Sequence, residues 1–199
     1  MMKELIKQSN NWRELESLIS IQEGEKVRGD LFEDFCQAYF ITHPVYKYNS
    51  VIKQGHFPHK ILKRLALKTN KDLGIDGVAL DNNDRISTYQ AKFRRDRSNT
   101  PTQRELSTFF MMSGHADRKV VITNANSLNN TVLDMCTPVL GATLDTISQE
   151  HFDNIRDYIL SKEIKRVEKF TPRPDQQEAI DSAAEHFKEN TRGQVIVPC

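Results

Sequence analysis

At 199 residues the chain has room for one well-buried domain plus an appendage, too little for two full domains. With 38% hydrophobic and 28% charged residues it is composed like a folded globular protein, which excludes low-complexity disorder. Its longest apolar runs fall well short of the roughly 18 residues that a membrane-spanning helix needs. The N-terminus carries Lys3 and Glu4 too early for a secretory leader, and Cys36, Cys136 and Cys199 lie far apart, signalling neither a zinc site nor a disulfide framework. A cytoplasmic setting is expected. Net charge is only +1, yet it is segregated. Between Lys47 and Lys71 there are seven Lys or Arg and no acid, and a second basic cluster follows at Lys92, Arg94, Arg95 and Arg97. Such clustering is the footprint of a phosphate-backbone contact, although a solvated basic face would look the same.

In chain order, residues 3–20 predict an amphipathic helix with Leu5, Trp12, Leu15, Leu18 and Ile19 on its apolar side. A second helix is expected from Asp30. Phe32, Phe35, Cys36, Tyr39 and Phe40 form its buried stripe, and it stops before His43-Pro44, because proline pushes its predecessor out of the α region. Residues 46–53 predict a strand, and 55–71 a basic loop with a short helix. Residues 75–80 and 85–93 read as strands joined through Asp81-Asn82-Asn83-Asp84, a hairpin turn. Period two puts Ile86, Thr88, Gln90 and Lys92 on one face and Ser87, Tyr89, Ala91 and Phe93 on the other. Thr100 as N-cap, Pro101 at the first turn and Gln103 as capping-box partner predict a helix ending near Gly114. Residues 119–123 predict a strand, 127–136 a helix and 139–147 another strand; Ser148 caps a further helix, with Ile147 and Phe152 as its hydrophobic staple. This order implies an α/β fold, a sheet with helices on both faces.

The hairpin concentrates the chemistry. Turning near 82–83, it sets position 76 opposite 89 or 90, so Asp76, Gln90 and Lys92 converge at one end of the sheet. A hard cation such as Mg²⁺ or Mn²⁺ would take oxygen from the Asp76 carboxylate, the Gln90 amide and the Ala91 main-chain carbonyl. Lys92 would orient a nucleophile or stabilise developing charge. That combination suits phosphodiester hydrolysis. Taken singly, Asp76 also reads as a polar turn residue and Lys92 as a lysine snorkelling from a strand end. For DNA contact the expected residues are Lys60, Lys63, Arg64, Arg94 and Arg95. His56 and His59, flanking Pro58, are read as surface residues for want of a neighbouring Cys or carboxylate.

Residues 28–40 (R-G-D-L-F-E-D-F-C-Q-A-Y-F), 72–78 (D-L-G-I-D-G-V) and 89–93 (Y-Q-A-K-F) resemble the PD-(D/E)xK restriction-endonuclease-like fold in its Mrr-like branch. The resemblance covers about residues 25–160 and implies an αβββαβ core with a mixed central sheet. It also implies a metal-dependent DNA endonuclease, with Asp76 as the metal-binding acid, Gln90 where many relatives carry Glu or Asp, Lys92 as the catalytic lysine and Glu33 as an auxiliary acid. A capping box, Asp30-x-x-Glu33, is the structural alternative for Glu33. The neutral Gln90 keeps open a non-catalytic DNA-binding module. Cutting both strands takes two sites, so a transient homodimer is expected.

The C-terminal part carries a separate resemblance. Residues 171–180 (T-P-R-P-D-Q-Q-E-A-I) are similar to the segment opening the motor of superfamily-two helicases and restriction translocases, in which a glutamine, here Gln176 or Gln177, reads adenine. Residues 194–199 look like the strand leading to a phosphate-binding loop. The expected organisation is therefore a helical extension (1–24), a nuclease domain (25–160), a linker (161–174) and the start of a helicase motor (175–199), with ATP used only by the full-length protein.

Overall fold

The computed structural model describes residues 1–70, 74–164 and 174–189. The chain divides into two units, residues 1–165 and 166–199. Most of the expected linker, the terminal apolar strand, and Lys71, Asp72 and Leu73 lie outside the described residues.

Two short helices open the first unit, α1 (Met2–Lys7) and α2 (Trp12–Ser20), where the apolar periodicity predicts one. The break has a polar cause. Ser9 Oγ donates back to Leu5 O at 2.8 Å, and Asn11 caps α2 by accepting from Glu14 N at 3.0 Å. Next, α3 (Glu25–Thr42) starts five residues before the expected Asp30, after Gly24 at φ 87°. Asp30 therefore lies inside the helix, pairing with Lys26 at 2.8 Å, and the Asp30–Glu33 capping box does not form.

The sheet is five-stranded with order β1-β2-β3-β4-β5: β1 (Tyr48–Lys53), β2 (Gly77–Asp81), β3 (Ile86–Lys92), β4 (Arg118–Thr123) and β5 (Thr137–Val139). The first three strands pair antiparallel and the last three parallel, the expected mixed sheet. Between them run α4 (His59–Arg64), α5 (Gln103–Met112) and α6 (Asn130–Leu133), the last far shorter than the predicted 127–136. The cap of α5 is Thr102 with Glu105, not Thr100 with Gln103: Thr102 Oγ1 accepts from Glu105 N and Glu105 Oε2 accepts from Thr102 N. Thr100 instead meets Ser127 at 3.2 Å. Where residues 139–147 predict a strand, the chain leaves β5 after Val139 and forms α7 (Gly141–Asp145). Gly141 permits this, since a Cβ there would stand 2.4 Å from the Asn124 carbonyl oxygen. Finally α8 (Gln149–Ser161) is capped as predicted, Ser148 Oγ accepting from His151 N.

Strand alternation builds two cores. Ala79, Tyr89, Val120 and Ile122 face α1, α2, α3 and α8, with Trp12, Leu15, Phe32, Phe35, Phe40, Phe152 and Ile155 filling the space. Val78, Ile86 and Val121 face the other way, against Phe57, Ile61, Leu65, Leu106, Phe109 and Val132. Helices therefore cover both faces, and α1 and α2 share the core of α3 rather than standing apart from it. In the second unit α9 (Pro174–Glu189) exposes Ile180 and Phe187; Gln177 Nε2 donates to Asp181 at 2.7 Å, and Gln176 lies one residue before it.

Candidate active site

The β2–β3 hairpin is closed by Asp81, whose Oδ1 accepts from Asn83 N at 2.8 Å and from Arg85 N at 3.1 Å. That turn sets the register Gly77↔Tyr89, which leaves Asp76 beside Gln90 just past the last paired residues. The main chain of Asp76 is held on both sides, its N–H donating to Tyr89 O (3.0 Å) and its carbonyl accepting from Gln54 N (2.9 Å). Its carboxylate Oδ2 accepts from Ala91 N at 2.7 Å. Gly77 is required here, because a Cβ would fall 2.2 Å from the buried Tyr89 ring.

Around Asp76 lies a cleft of about 530 Å³, walled by the first turns of α3 and by the end of β3 with the loop that follows. Glu33, Asp76, Ala91, Lys92, Arg94 and Arg95 all line it. Burial pushes the Asp76 carboxyl up to about 6; the Ala91 N–H, Lys92 and Lys53 only partly offset this. Burial, and then repulsion from Asp76, pushes Glu33 up to about 7 against the pull of Lys53. Two acids are thus held close, and Lys92 and Lys53 offset their charge only in part.

Gln90 is placed differently. It is buried, does not line the cleft, and its Oε1 has no hydrogen-bond partner among the described residues. An unpartnered buried carbonyl costs free energy unless something is supplied to it. Among the described residues no three His, Cys, Asp or Glu converge as a metal cage. The donors that line the cleft are the Asp76 and Glu33 carboxylates and the Ala91 carbonyl, a set that fits Mg²⁺, which prefers few protein oxygens and keeps several waters; the Gln90 amide stands outside that lining.

The basic residues separate into groups that the sequence does not distinguish. Lys53, counted within the first basic tract, reaches the acids instead: its Nζ lies 2.7 Å from Asp34 and 3.7 Å from Glu33. Lys60 and Lys63 are exposed on α4, and neither lines the cleft. Arg64 is committed to the hairpin tip, donating to Asp84 O at 2.8 Å and approaching Asp117 at 3.9 Å. Arg94, expected to contact DNA, pairs with Glu105 at 2.6 Å; Arg95 is exposed at the cleft. Arg97 is bound by Glu16 and Asp145. Glu16 is the residue most readily missed. Its signal was present, since Trp12, Leu15, Glu16 and Ile19 share one helical face and an acid interrupts that apolar stripe.

Comparison with known proteins agrees with this architecture. A solved structure, "ATP-dependent Type ISP restriction-modification enzyme LlaBIII bound to DNA", superposes over 83% of this chain with TM-score 0.52 and 23% identity, a likeness of fold. This chain spans 11% of that one. No curated protein matches it in sequence. The Mrr_cat_2 family, restriction endonuclease, matches residues 44–164, more than half of the sequence, and this chain belongs to that restriction endonuclease family.

Proposed function

We propose that the cleft is the catalytic site of a DNA endonuclease that works with Mg²⁺ or Mn²⁺ held by Asp76 and Glu33, with the Ala91 carbonyl as a further oxygen donor. The observation that carries this reading is two half-buried carboxylates, Glu33 repelled by Asp76, beside Lys92 in one open cleft. Each is destabilised as an ion by its surroundings, an arrangement that a structural ion pair would not need and that a bound cation would relieve. When bound, a divalent ion supplies Lewis acidity toward a phosphate oxygen. Lys92, at the end of β3, places an ammonium where negative charge grows on the phosphate. The Ala91 N–H fixes one oxygen of Asp76, and among the described residues no hydrogen bond holds the other, which a cation could take. Arg95 and the exposed Lys60 and Lys63 offer charge to the DNA backbone.

The attachment to an ATP-driven motor is part of the same proposal. Its support is the resemblance of residues 171–180 to a motor's opening segment, together with the ATP dependence and far greater length of the structural relative. In this organisation residues 1–24 and 25–160 form the nuclease part, 161–174 the linker and 175–199 the motor's beginning, with Gln176 or Gln177 meeting adenine. A transient homodimer would deliver the second cut. No helix among the described residues is long and apolar enough to cross a membrane.

The test is cleavage of plasmid DNA with Mg²⁺ or Mn²⁺, in the full-length protein with and without ATP. Asp76→Ala and Lys92→Ala should each abolish cutting in a folded protein, and EDTA should stop it. Unchanged cutting by either variant refutes the site. The buried, neutral Gln90 favours one rival, a DNA-binding module that loads the motor; binding without nicking under every condition would establish it.

A further inference from the structure

The strand that carries Lys92 is continued by a side chain. The β3–β4 ladder ends at the pair Lys92↔Thr123. One residue on, Asn124 Oδ1 accepts from Arg94 N at 2.6 Å, and Asn124 Nδ2 donates to Arg94 O at 2.8 Å. The amide offers one donor and one acceptor, as a peptide group of β4 would, so the pairing runs on past Lys92. Its second amide proton goes to Glu16 Oε1 at 2.7 Å. A carboxylate only accepts, so Glu16 fixes which way the amide faces: reversed, its oxygen would oppose two acceptors, Arg94 O and Glu16. Asn124 is 1% exposed and Glu16 7%, so water cannot replace these bonds.

The grip extends along the loop. Glu16 also accepts from Arg97 Nε at 2.7 Å, and Arg97 donates to Asp145 at 2.9 and 3.0 Å. The Arg97 carbonyl accepts from Asn126 N at 2.8 Å. Three elements, α2, β4 and α7, thereby hold the segment from Arg94 to Arg97, and Lys92, Arg94 and Arg95 line the cleft beside Asp76. Glu16 lies on α2, well before residue 44, where the family match begins.

We propose that Asn124, locked by Glu16, is a positioning residue that holds Lys92 and Arg95 in register with Asp76, which makes α2 part of the active-site apparatus. The catalytic consequence rests on the nuclease reading, whereas the brace itself does not. The experiment uses the full chain with Asn124→Asp, Glu16→Gln and the double variant. It reads amide exchange at Arg94 in DNA-free protein, and kcat and KM for plasmid cleavage with Mg²⁺. Asn124→Asp is isosteric and still accepts from Arg94 N, but it sets an oxygen against Arg94 O and the Glu16 carboxylate. Adding Glu16→Gln returns a donor to the contact at position 16 but not to Arg94 O, while Arg97 keeps Asp145.

Asn124→Asp should speed exchange at Arg94 by about 10-fold, the loss of roughly one buried hydrogen bond. It should lower kcat about 10- to 100-fold, as a displacement of about 1 Å does, with KM changed less than about twofold. The double variant should recover the part of both losses that comes from the clash with Glu16, which a merely destabilised fold would not. Should Asn124→Asp fail to fold, Asn124→Gln carries the test: it keeps the amide but moves it by one methylene, and should lower kcat and speed exchange. Parent-like exchange and kcat in the folded Asn124 variant, or a double variant no better than Asn124→Asp, overturns the proposal. A parent chain that never cuts sinks the nuclease reading instead, and the exchange arm then decides the brace by itself.

Discussion

Asp76→Asn should make the metal-free protein more stable while destroying its activity. The folded protein raises the Asp76 carboxyl from 3.8 to about 6. A two-unit rise corresponds to about 3 kcal/mol of cost for keeping that group ionised. The sign follows from linkage. A carboxyl that holds its proton more tightly when folded favours folding at low pH, and that advantage is lost as pH rises through about 6, so the full cost is present at pH 8. Asparagine removes the charge, and its oxygen can still accept from Ala91 N; the value of about 6 is already net of that bond. The net gain is about 3 kcal/mol, or about 6–12 °C in melting temperature for a domain of this size. Glu33 should ionise more easily as well, having lost the repulsion of Asp76. The assay is thermal unfolding of parent and variant in EDTA at pH 8 and near pH 4. The advantage of the variant should be largest at pH 8 and vanish near pH 4, where Asp76 is protonated in the folded protein and the cost of its charge is gone. Adding Mg²⁺ at pH 8 should reverse the order by stabilising the parent alone. A variant equal to or weaker than the parent in EDTA at both pH values would refute the claim that Asp76 is an uncompensated buried charge.

Four further outcomes follow from the same geometry. Apparent Mg²⁺ affinity, measured by calorimetry, should weaken as pH falls from about 8 to about 6, because protons compete for Glu33 (about 7) and Asp76 (about 6); a pH-independent affinity would remove both from the ligand set. Lys60→Ala or Lys63→Ala should flatten the salt dependence of DNA binding by about one unit each. Arg94→Ala should instead lower thermal stability through loss of the Glu105 pair, and an Arg94 effect confined to the salt slope would count against its assignment within the fold. Gly77→Ala forces a Cβ to 2.2 Å from the buried Tyr89 ring and should cost about 1–3 kcal/mol in denaturant unfolding, with cleavage falling as the hairpin shifts.

The helix over 3–20 has continuous apolar periodicity, yet Ser9 and Asn11 divert backbone bonding and divide it. Thr100 and Thr102 are both competent caps, and the choice fell to Thr102 because Glu105, not Gln103, sits three residues beyond it and also receives Arg94. Apolar residues 139–147 suit a strand as well as a helix. Contact of Gly141 with the Asn124 carbonyl, just past a strand distant in sequence, selects the helix. Lys53 belongs to a run of positive charge in the sequence and to an acidic cluster in space, since α3 brings Glu33 and Asp34 against the end of β1.

The amino-acid order alone determined the α/β class, the hairpin, the alternation of its two faces and the register that sets Asp76 across from Gln90. Each of these follows from period-two patterning and from turn residues acting over a few positions. Tertiary structure decided which charges are available and which are committed: Lys53 to the acids, Arg97 to Glu16 and Asp145, Arg94 to Glu105, and Asn124 to the end of β3. Those pairings join residues as much as 81 positions apart, and no local periodicity encodes them, because they form only when packed helices exclude water from polar groups that must then find one another.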